Sequence, residues 1–233
     1  WTIEAYSLQG KHLETFELPR DLDMPAASRI SRAGFTGDAQ SKFTDFTVSG
    51  GAQPEQTFRL KLDTEKPTLT KLDAPEIDFD SSRVVQEFVH APMSDGTVRP
   101  AHVFRRDDGP PEFMIEFDYA SIGLVNTPYW SLLEALVLEH GGAIAFTQSR
   151  GGGSQGAADR AAGTDNRMQT VDDIEDYAKF LGEHYGVEDK IVFSGRSWGG
   201  MLTLLTAMRE ESEKAFAGYL SVVPAPNILN ITN

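Results

Sequence analysis

The chain has 233 residues, of which 40% are hydrophobic and 24% charged, a composition typical of globular domains and unlike that of disordered chains. Its net charge of −14 makes nucleic acids and anionic membranes poor partners. The absence of cysteine excludes disulfides and cysteine-ligated metals, and no apolar run approaches the roughly 20 residues of a membrane span. We expect a soluble protein without metal or cofactor, in the cytoplasm or a bacterial periplasm.

Residues 1–72 consist of short segments of alternating hydrophobicity separated by turn residues, a pattern that predicts β-strands. Residues 1–7 and 12–18 flank a turn sequence and are predicted to form a hairpin. Further strands are predicted at residues 28–35, 43–48, 57–62 and 68–72. Strands of this length and spacing favour a sandwich, a barrel or a propeller, and no clear internal repeat chooses between them.

Residues 73–82 are predicted to be a linker, and residues 83–233 change to an alternation of strands and helices. Residues 83–91 and 97–105 predict an antiparallel pair. Beyond it, the predicted strands are residues 112–118, 143–147, 190–194 and 218–223, and the predicted helices are residues 130–139, 171–185 and 198–208. This rhythm predicts an α/β fold with a mostly parallel sheet and helices on both of its faces.

The strongest local pattern is Gly195-Arg196-Ser197-Trp198-Gly199, which lies between a predicted strand and a predicted helix. In this context Gly-x-Ser-x-Gly indicates the nucleophile turn of an α/β-hydrolase. The serine adopts a strained backbone, and side chains two residues before or after it would collide with the flanking strand and helix. We therefore predict that Ser197 is a nucleophile and that the Trp198 amide stabilises an oxyanion.

Three further segments occur in the order in which the prolyl oligopeptidase family has them: 117–122 (Phe-Asp-Tyr-Ala-Ser-Ile), 149–156 (Ser-Arg-Gly-Gly-Gly-Ser-Gln-Gly) and 171–173 (Val-Asp-Asp). The chain resembles that family. The resemblance implies that residues 1–72 are the last part of a β-propeller and that residues 83–233 are the first portion of the α/β-hydrolase catalytic domain. It also implies a serine peptidase that acts on peptides.

The resemblance assigns roles to several residues. It makes the Tyr119 phenol the second oxyanion donor and the Arg150 loop a structural element. Asp172 and Asp173, at a predicted helix start, are interpreted as favourable to the helix dipole. Ile122 occupies the place of an aromatic residue that would stack on a substrate proline. It is the candidate substrate-binding residue, and it puts strict proline preference in doubt.

A serine nucleophile needs a base, and in α/β-hydrolases the order along the chain is serine, acid, histidine. Residues 198–233 contain neither Asp nor His. All five histidines precede Ser197: His12, His90, His102, His140 and His184. We expect the acid and the base to lie beyond residue 233, either in a missing part of the same polypeptide or on a separate chain.

Three functions stay open from the sequence. The first is a serine peptidase that forms an acyl-enzyme on Ser197. The second is an esterase or another acyl hydrolase on the same fold, which side-by-side assays of ester and peptide substrates would separate. The third is a non-catalytic fragment or pseudoenzyme, for which the decisive observation is whether a histidine follows about 100 residues after Ser197.

Overall fold

The computed structural model describes residues 2–17, 29–30, 41–51, 53–61, 67–72 and 77–225. Internal contacts divide the chain into two compact units, residues 1–81 with 127–132, and residues 82–126 with 133–233. The domain limits expected from the sequence, with a linker at residues 73–82, stay a prediction. Residues 73–76 lie outside the described residues, and Ser81–Arg83 form a short 3-10 helix.

The first unit contains two antiparallel sheets. β1 (Thr2–Tyr6) pairs with β2 (His12–Glu17) as the predicted hairpin. The second sheet has the order β3-β4-β5-β6, formed by Arg29–Ile30, Phe43–Gly50, Gln53–Lys61 and Thr68–Lys71. Its core contains Phe46, Val48, Phe58 and Leu60. No helix occurs among the described residues of 2–72, and the predicted strand at 28–35 is described only at residues 29–30.

The second unit is built on one six-stranded sheet with the order β12-β11-β9-β10-β8-β7. Its strands are β7 (Val84–Pro92), β8 (Val98–Arg106), β9 (Phe113–Phe117), β10 (Gly142–Thr147), β11 (Ile191–Arg196) and β12 (Gly218–Val222). β9 to β12 pair in parallel, and β7 and β8 are antiparallel. The predicted α/β fold with a mostly parallel sheet is confirmed.

Four helices connect these strands: α1 (Leu132–Glu139), α2 (Ala157–Asp165), α3 (Arg167–Tyr185) and α4 (Trp198–Ala207). The connection from β9 to β10 and the connection from β10 to β11 advance across the sheet in opposite directions. Because such crossovers are right-handed, α1 covers one face of the sheet, and α3 and α4 cover the other. Among the described residues, no helix is long and apolar enough to cross a bilayer.

The helices differ from the sequence prediction in three respects. α2 was not predicted because its residues, Ala, Asp, Arg and Gly among them, form no apolar stripe. α3 begins at Arg167, four residues before its first predicted turn, because good helix formers precede the apolar pattern. In α1, four leucines recur at helical spacing, a pattern typical of a buried face. Of these, only Leu138 is buried, whereas Leu132, Leu133 and Leu136 are exposed and Glu134 is buried.

Candidate active site

Ser197 occupies the turn between β11 and α4, with its backbone at φ 57° and ψ −111°. This left-handed φ is unusual for a residue with a Cβ and costs on the order of 1–3 kcal/mol. Neighbouring elements hold it: the Ser197 amide donates to the Val222 carbonyl at 2.9 Å, and the Ser197 carbonyl accepts from the Met201 amide at 3.2 Å. Ser197 is exposed, so the turn lifts the residue out of the sheet.

Gly195 and Gly199, two residues before and two residues after Ser197, have no room for a side chain. A Cβ on Gly195 would overlap the carbonyl oxygen of Gly199 in the first turn of α4. A Cβ on Gly199 would overlap the carbonyl oxygen of Asp118 and lie 3.3 Å from the Cα of Tyr119. Neither position can therefore carry a side chain without a backbone shift, and the Tyr119 backbone passes against the first turn of α4.

Tyr119 and Trp198 belong to segments that follow two neighbouring strands. β9 and β11 are parallel neighbours, with Phe117 opposite Ser194, so the segments after them leave from the same edge of the sheet. Trp198 is the first residue of α4, and amides of a first helical turn have no acceptor within the helix. Tyr119 is half-buried. An oxyanion hole formed by the Trp198 amide and the Tyr119 phenol requires that the segments after β9 and β11 lie side by side. The roles of Trp198 and Tyr119 as oxyanion donors stay predictions.

Ile122 lies in the same loop as Tyr119. Its side chain is 61% exposed, and its backbone has a φ of 48°, which is rare for a β-branched residue. The Leu124 amide closes the turn by donating to the Ser121 carbonyl at 3.0 Å. The exposure leaves Ile122 available to a substrate, and its contact with substrate stays a prediction.

The Arg-Gly-Gly-Gly loop packs directly on the Tyr119 loop. A side chain on any of the three glycines would collide with a carbonyl oxygen of the Tyr119 loop. A Cβ on Gly151 would lie 2.6 Å from the carbonyl oxygen of Ala120, and a Cβ on Gly152 would lie 2.9 Å from the carbonyl oxygen of Leu124. A Cβ on Gly153 would overlap the carbonyl oxygen of Gly123. Two hydrogen bonds join the loops, from the Gly123 amide to Gly151 (3.2 Å) and from the Gly153 amide to Leu124 (3.1 Å). Of the three glycines, Gly151 alone has a positive φ. Backbone conformation therefore accounts for only one glycine, and the close approach of the two backbones accounts for three in succession.

Ion pairs anchor the other side of this loop. Arg150 is paired with the fully buried Asp173 and, at 2.5 Å, with Asp95. Buried Arg99 on β8 pairs with Asp159 at 2.7 Å and donates to the Gln148 carbonyl at 2.9 Å. The interpretation of Asp172 and Asp173 as helix-start residues is wrong, because α3 begins at Arg167 and both lie inside it. There Asp173 binds Arg150 and Asp172 binds Arg209.

Two acidic residues at the end of β9, Glu116 and Asp118, are buried beneath the Tyr119 loop. Burial raises the pKa of Asp118 to about 6, although hydrogen bonds from Ser149, Thr147 and the Tyr119 amide oppose the rise. Burial and the neighbouring Asp118 charge raise the pKa of Glu116 well above its usual range. This acidic pair was not identified from the sequence. The available signal was that both residues fall in the strand predicted at residues 112–118, in a sheet expected to be covered on both faces, where buried charges are costly.

Arg167, at the start of α3, contacts Trp198 and the residue that follows Tyr119. Its guanidinium lies 5.3 Å from the centre of the Trp198 ring and donates to the Ala120 carbonyl at 3.2 Å. Burial lowers the pKa of Arg167. The side chain therefore braces the loop after β9 against the start of α4.

None of the hydrogen bonds in the described residues joins a histidine to Ser197. His140 contacts the Leu136 carbonyl, His184 stacks on Phe180, and the other three lie on β2, β7 and β8. In the same residues, no group of three or more His, Asp and Glu side chains is arranged to hold a metal ion.

Comparisons with known proteins agree with this geometry. A sequence profile of the prolyl oligopeptidase family matches residues 128–232. The chain is 27% identical to a prolyl endopeptidase of Elizabethkingia miricola over 92% of its length, and 28% identical to dipeptidyl aminopeptidase BI of Pseudoxanthomonas mexicana over 79%. These alignments cover 31% and 26% of those proteins, so the chain spans about a third or less of the curated relatives it matches.

Solved structures share the fold. One prolyl endopeptidase structure superposes with a TM-score of 0.74 at 23% identity, covering 96% of this chain and 32% of that one. Prolyl oligopeptidase B from Galerina marginata gives 0.73 at 21% identity, covering 94% and 31%. The family profile, the curated relatives and the shared fold confirm the resemblance seen in the motifs: the chain is similar to the prolyl oligopeptidase family.

Proposed function

We propose that this chain is part of a serine peptidase in which Ser197 forms an acyl-enzyme with a peptide substrate. The observation that carries the proposal is the turn at Ser197. Its strained backbone persists because Gly195 and Gly199 let the flanking helix and the Asp118–Tyr119 backbone approach. Strain of this kind needs support from its surroundings, and it is concentrated at functional sites.

In the proposed reaction, the Ser197 hydroxyl gives its proton to a base while its oxygen bonds to the scissile carbonyl carbon. The carbonyl oxygen becomes negative, and the Trp198 amide and the Tyr119 hydroxyl donate hydrogen bonds to it. Each such donor is worth about 3–4 kcal/mol in the transition state. The C–N bond then breaks, the amine leaves with the proton, and water hydrolyses the ester on Ser197.

The base is assigned to residues outside this chain. Residues 198–233 contain no histidine and no aspartate, and no hydrogen bond in the described residues connects a histidine to Ser197. In the longer protein, or in a complex with a second chain, a histidine would complete the site. We expect residues 1–233 alone to lack appreciable peptidase activity, because loss of the histidine costs on the order of 10⁶ in turnover in a well-studied serine protease.

The proposed substrates are short peptides. Relatives of the chain are a prolyl endopeptidase and a dipeptidyl aminopeptidase, which differ in where they cut. Ile122 presents an exposed aliphatic side chain in the Tyr119 loop. An aliphatic side chain offers contact area but no ring face for stacking on proline, so strict proline preference is not part of the proposal.

The test compares Ser197→Ala with Ser94→Ala, a control at an exposed turn, in the longer protein that contains this chain. Chromogenic peptide hydrolysis and fluorophosphonate labelling should both disappear in Ser197→Ala and persist in the control. Hydrolysis that survives in Ser197→Ala would refute the proposal. Rapid labelling of Ser197 in residues 1–233 alone would show that a base lies within them, and His90, His102, His140 and His184 would then be replaced one at a time.

A further inference from the structure

Asp118 is a buried carboxylate at the base of the Tyr119 loop. It is 3% exposed, and none of the ion pairs in the described residues includes it. Transfer of an unpaired carboxylate into a protein interior is costly unless hydrogen bonds compensate. The surroundings of Asp118 therefore have to supply that compensation through neutral donors.

Four such donors surround the carboxylate. One oxygen, Oδ1, accepts from the Tyr119 amide at 2.6 Å. The other, Oδ2, accepts from the Thr147 hydroxyl at 2.9 Å and from Ser149 twice, from its amide at 3.0 Å and its hydroxyl at 2.6 Å. The carboxylate thus ties the start of the loop after β9 to the end of β10 and the segment that follows it.

The donor set suits an ionised carboxylate and suits a carboxamide poorly. All four partners are donors directed at the two carboxylate oxygens, and an ionised carboxylate has only acceptor positions. An asparagine would place an NH₂ group against at least one of these donors. Hydrogen bonds to an ionised acceptor are also stronger than those between neutral groups, which favours a fixed geometry for the Tyr119 backbone.

The neighbouring ionisable groups are consistent with this assignment. Glu116, on the same strand, has one buried carboxyl oxygen without a hydrogen-bond partner, and its pKa is raised well above its usual range by burial and by Asp118. Tyr177 of α3 also has a raised pKa, mainly from burial and in part from the Asp118 charge. Of the two carboxyl groups, Asp118 is the one whose two oxygens both accept hydrogen bonds, so it is the member of the pair that is better suited to carry a charge.

We propose that ionised Asp118 is a positioning residue that holds the Tyr119 backbone in place, so that the Tyr119 phenol can donate to the oxyanion. The proposal rests on the proposed function of Ser197 and Tyr119. Asp118 acts through Tyr119 and does not touch the substrate. A Cβ on Gly199 would overlap the Asp118 carbonyl oxygen, so a shift of Asp118 would move the loop relative to α4.

A double-mutant cycle in the longer, active protein tests this inference. Tyr119→Phe should lower kcat by about 10²–10³-fold, the effect of removing one oxyanion donor. Asp118→Asn should lower kcat by about 10–100-fold, with KM within about twofold, because misplacement of a catalytic group is costly mainly in the transition state. In the Tyr119→Phe background, Asp118→Asn should cost less than about threefold, since the donor it positions is already gone.

The control is Glu87→Gln on β7, a carboxylate that accepts from Arg105 and Tyr185 on an edge strand of the same sheet. Its effect on kcat should be small and the same in both backgrounds. If Asp118→Asn does not fold, Ser149→Ala takes its place in the cycle, since it removes one donor and leaves the carboxylate. Its cost should likewise shrink in the Tyr119→Phe background.

The outcomes separate the two proposals. If the costs of Asp118→Asn and Tyr119→Phe multiply, Asp118 has a purely structural role and the inference fails, while loss of activity in Ser197→Ala still supports the proposed function. If Ser197→Ala retains activity, the proposed function fails first. If the costs do not multiply and KM is unchanged, the positioning role is supported.

Discussion

The carboxyl ends of the central strands and the β7–β8 edge stabilise their carboxylates in opposite ways. At the edge, Glu87 accepts from the Arg105 guanidinium and the Tyr185 hydroxyl. Burial opposes its charge, but these partners outweigh it and lower the pKa of Glu87. At the carboxyl ends, Asp118 has neutral donors only, and burial raises its pKa to about 6. A count of hydrogen bonds therefore does not predict the direction of a pKa shift; the depth of burial and the charge of the donors both decide it.

The carboxyl ends of the central strands and the outer strand β12 also differ in how closely their backbones pack. At the carboxyl ends the main chains of three segments touch where Gly151, Gly153 and Gly199 have no side chain. In β12, by contrast, a Cβ on Gly218 would meet only a Val192 methyl group at 4.0 Å. The carboxyl ends of the central strands, where the candidate site lies, thus tolerate less added volume than the outer strand β12.

The largest expected effect comes from Gly199→Ala. The new methyl group would overlap the Asp118 carbonyl and push the Tyr119 loop away from α4. If Ser197 is the nucleophile of a longer protein, as we propose, its labelling by a fluorophosphonate in that protein should slow by about 100-fold or more, because displacement of about 1 Å in a catalytic site has that effect. The matched control, Gly218→Ala, should label at the wild-type rate. Equal labelling of both variants would contradict the packing described for the turn.

Arg99→Met tests the ion pairs behind the Arg150 loop. Arg99 is buried with Asp159 at 2.7 Å and Asp173 at 3.6 Å, so its removal leaves buried carboxylates without this cation. Breaking a buried pair in this way destabilises a protein by about 3–5 kcal/mol. Denaturant unfolding of the chain measures the change, and a loss below about 1 kcal/mol would show that the site relaxes or admits water.

The pH dependence of stability should have opposite slopes for Asp118→Asn and Glu87→Gln. The folded pKa of Asp118 is raised to about 6, so its ionisation penalises the folded state as pH rises from about 4 to about 6. Relative to wild type, Asp118→Asn should gain up to about 3 kcal/mol over that interval. The folded pKa of Glu87 is lowered, so its contribution is present at neutral pH and is lost on acidification.

The measurement is the difference in unfolding free energy between each variant and wild type, taken from pH 4 to pH 7. The deficit of Glu87→Gln should be larger at pH 7 than at pH 4. The stability of Asp118→Asn relative to wild type should instead increase from pH 4 to pH 7. The loss of hydrogen bonds in this variant shifts its stability equally at every pH and does not change this slope. Parallel slopes would contradict the comparison.

The smallest effect is expected for Arg83→Ala at the β7–β8 edge. Arg83 pairs with Asp107 and Asp108, and all three side chains are substantially exposed. Exposed pairs of this kind contribute about 0–1 kcal/mol. Thermal unfolding in low salt should detect a change of less than about 1 kcal/mol that becomes smaller in high salt.

Local sequence patterns predicted much of the fold and part of the site. The period-2 alternation identified β1 and β2, and the glycines around Ser197 predicted a turn that needs them for steric reasons. α2 was not predicted, because it carries no apolar stripe. The exposed leucines of α1 were not predicted, because hydrophobic periodicity reports that a face is apolar and not whether another element covers it.

The roles of Asp118 and Arg167 could not be read from the sequence. Asp118 is held by Thr147 and Ser149, and Arg167 reaches Ala120, contacts between segments far apart in the chain. No spacing rule connects such residues. The acidic residues in a strand predicted to be buried were the available signal, since a conflict between local rules often indicates a functional site.

The packing of Gly151, Gly152 and Gly153 on the Tyr119 loop has a consequence for how this site can diverge. A side chain at any of the three positions meets a carbonyl oxygen of the other loop, so neither loop can change its course alone. Ile122 belongs to the Tyr119 loop, and its side chain is exposed to solvent. If Tyr119 and Ile122 have the roles that we propose, substitutions at Ile122 would alter what the site contacts while the Tyr119 backbone keeps its position. Ile122 would then be the first residue to vary in a redesign of specificity.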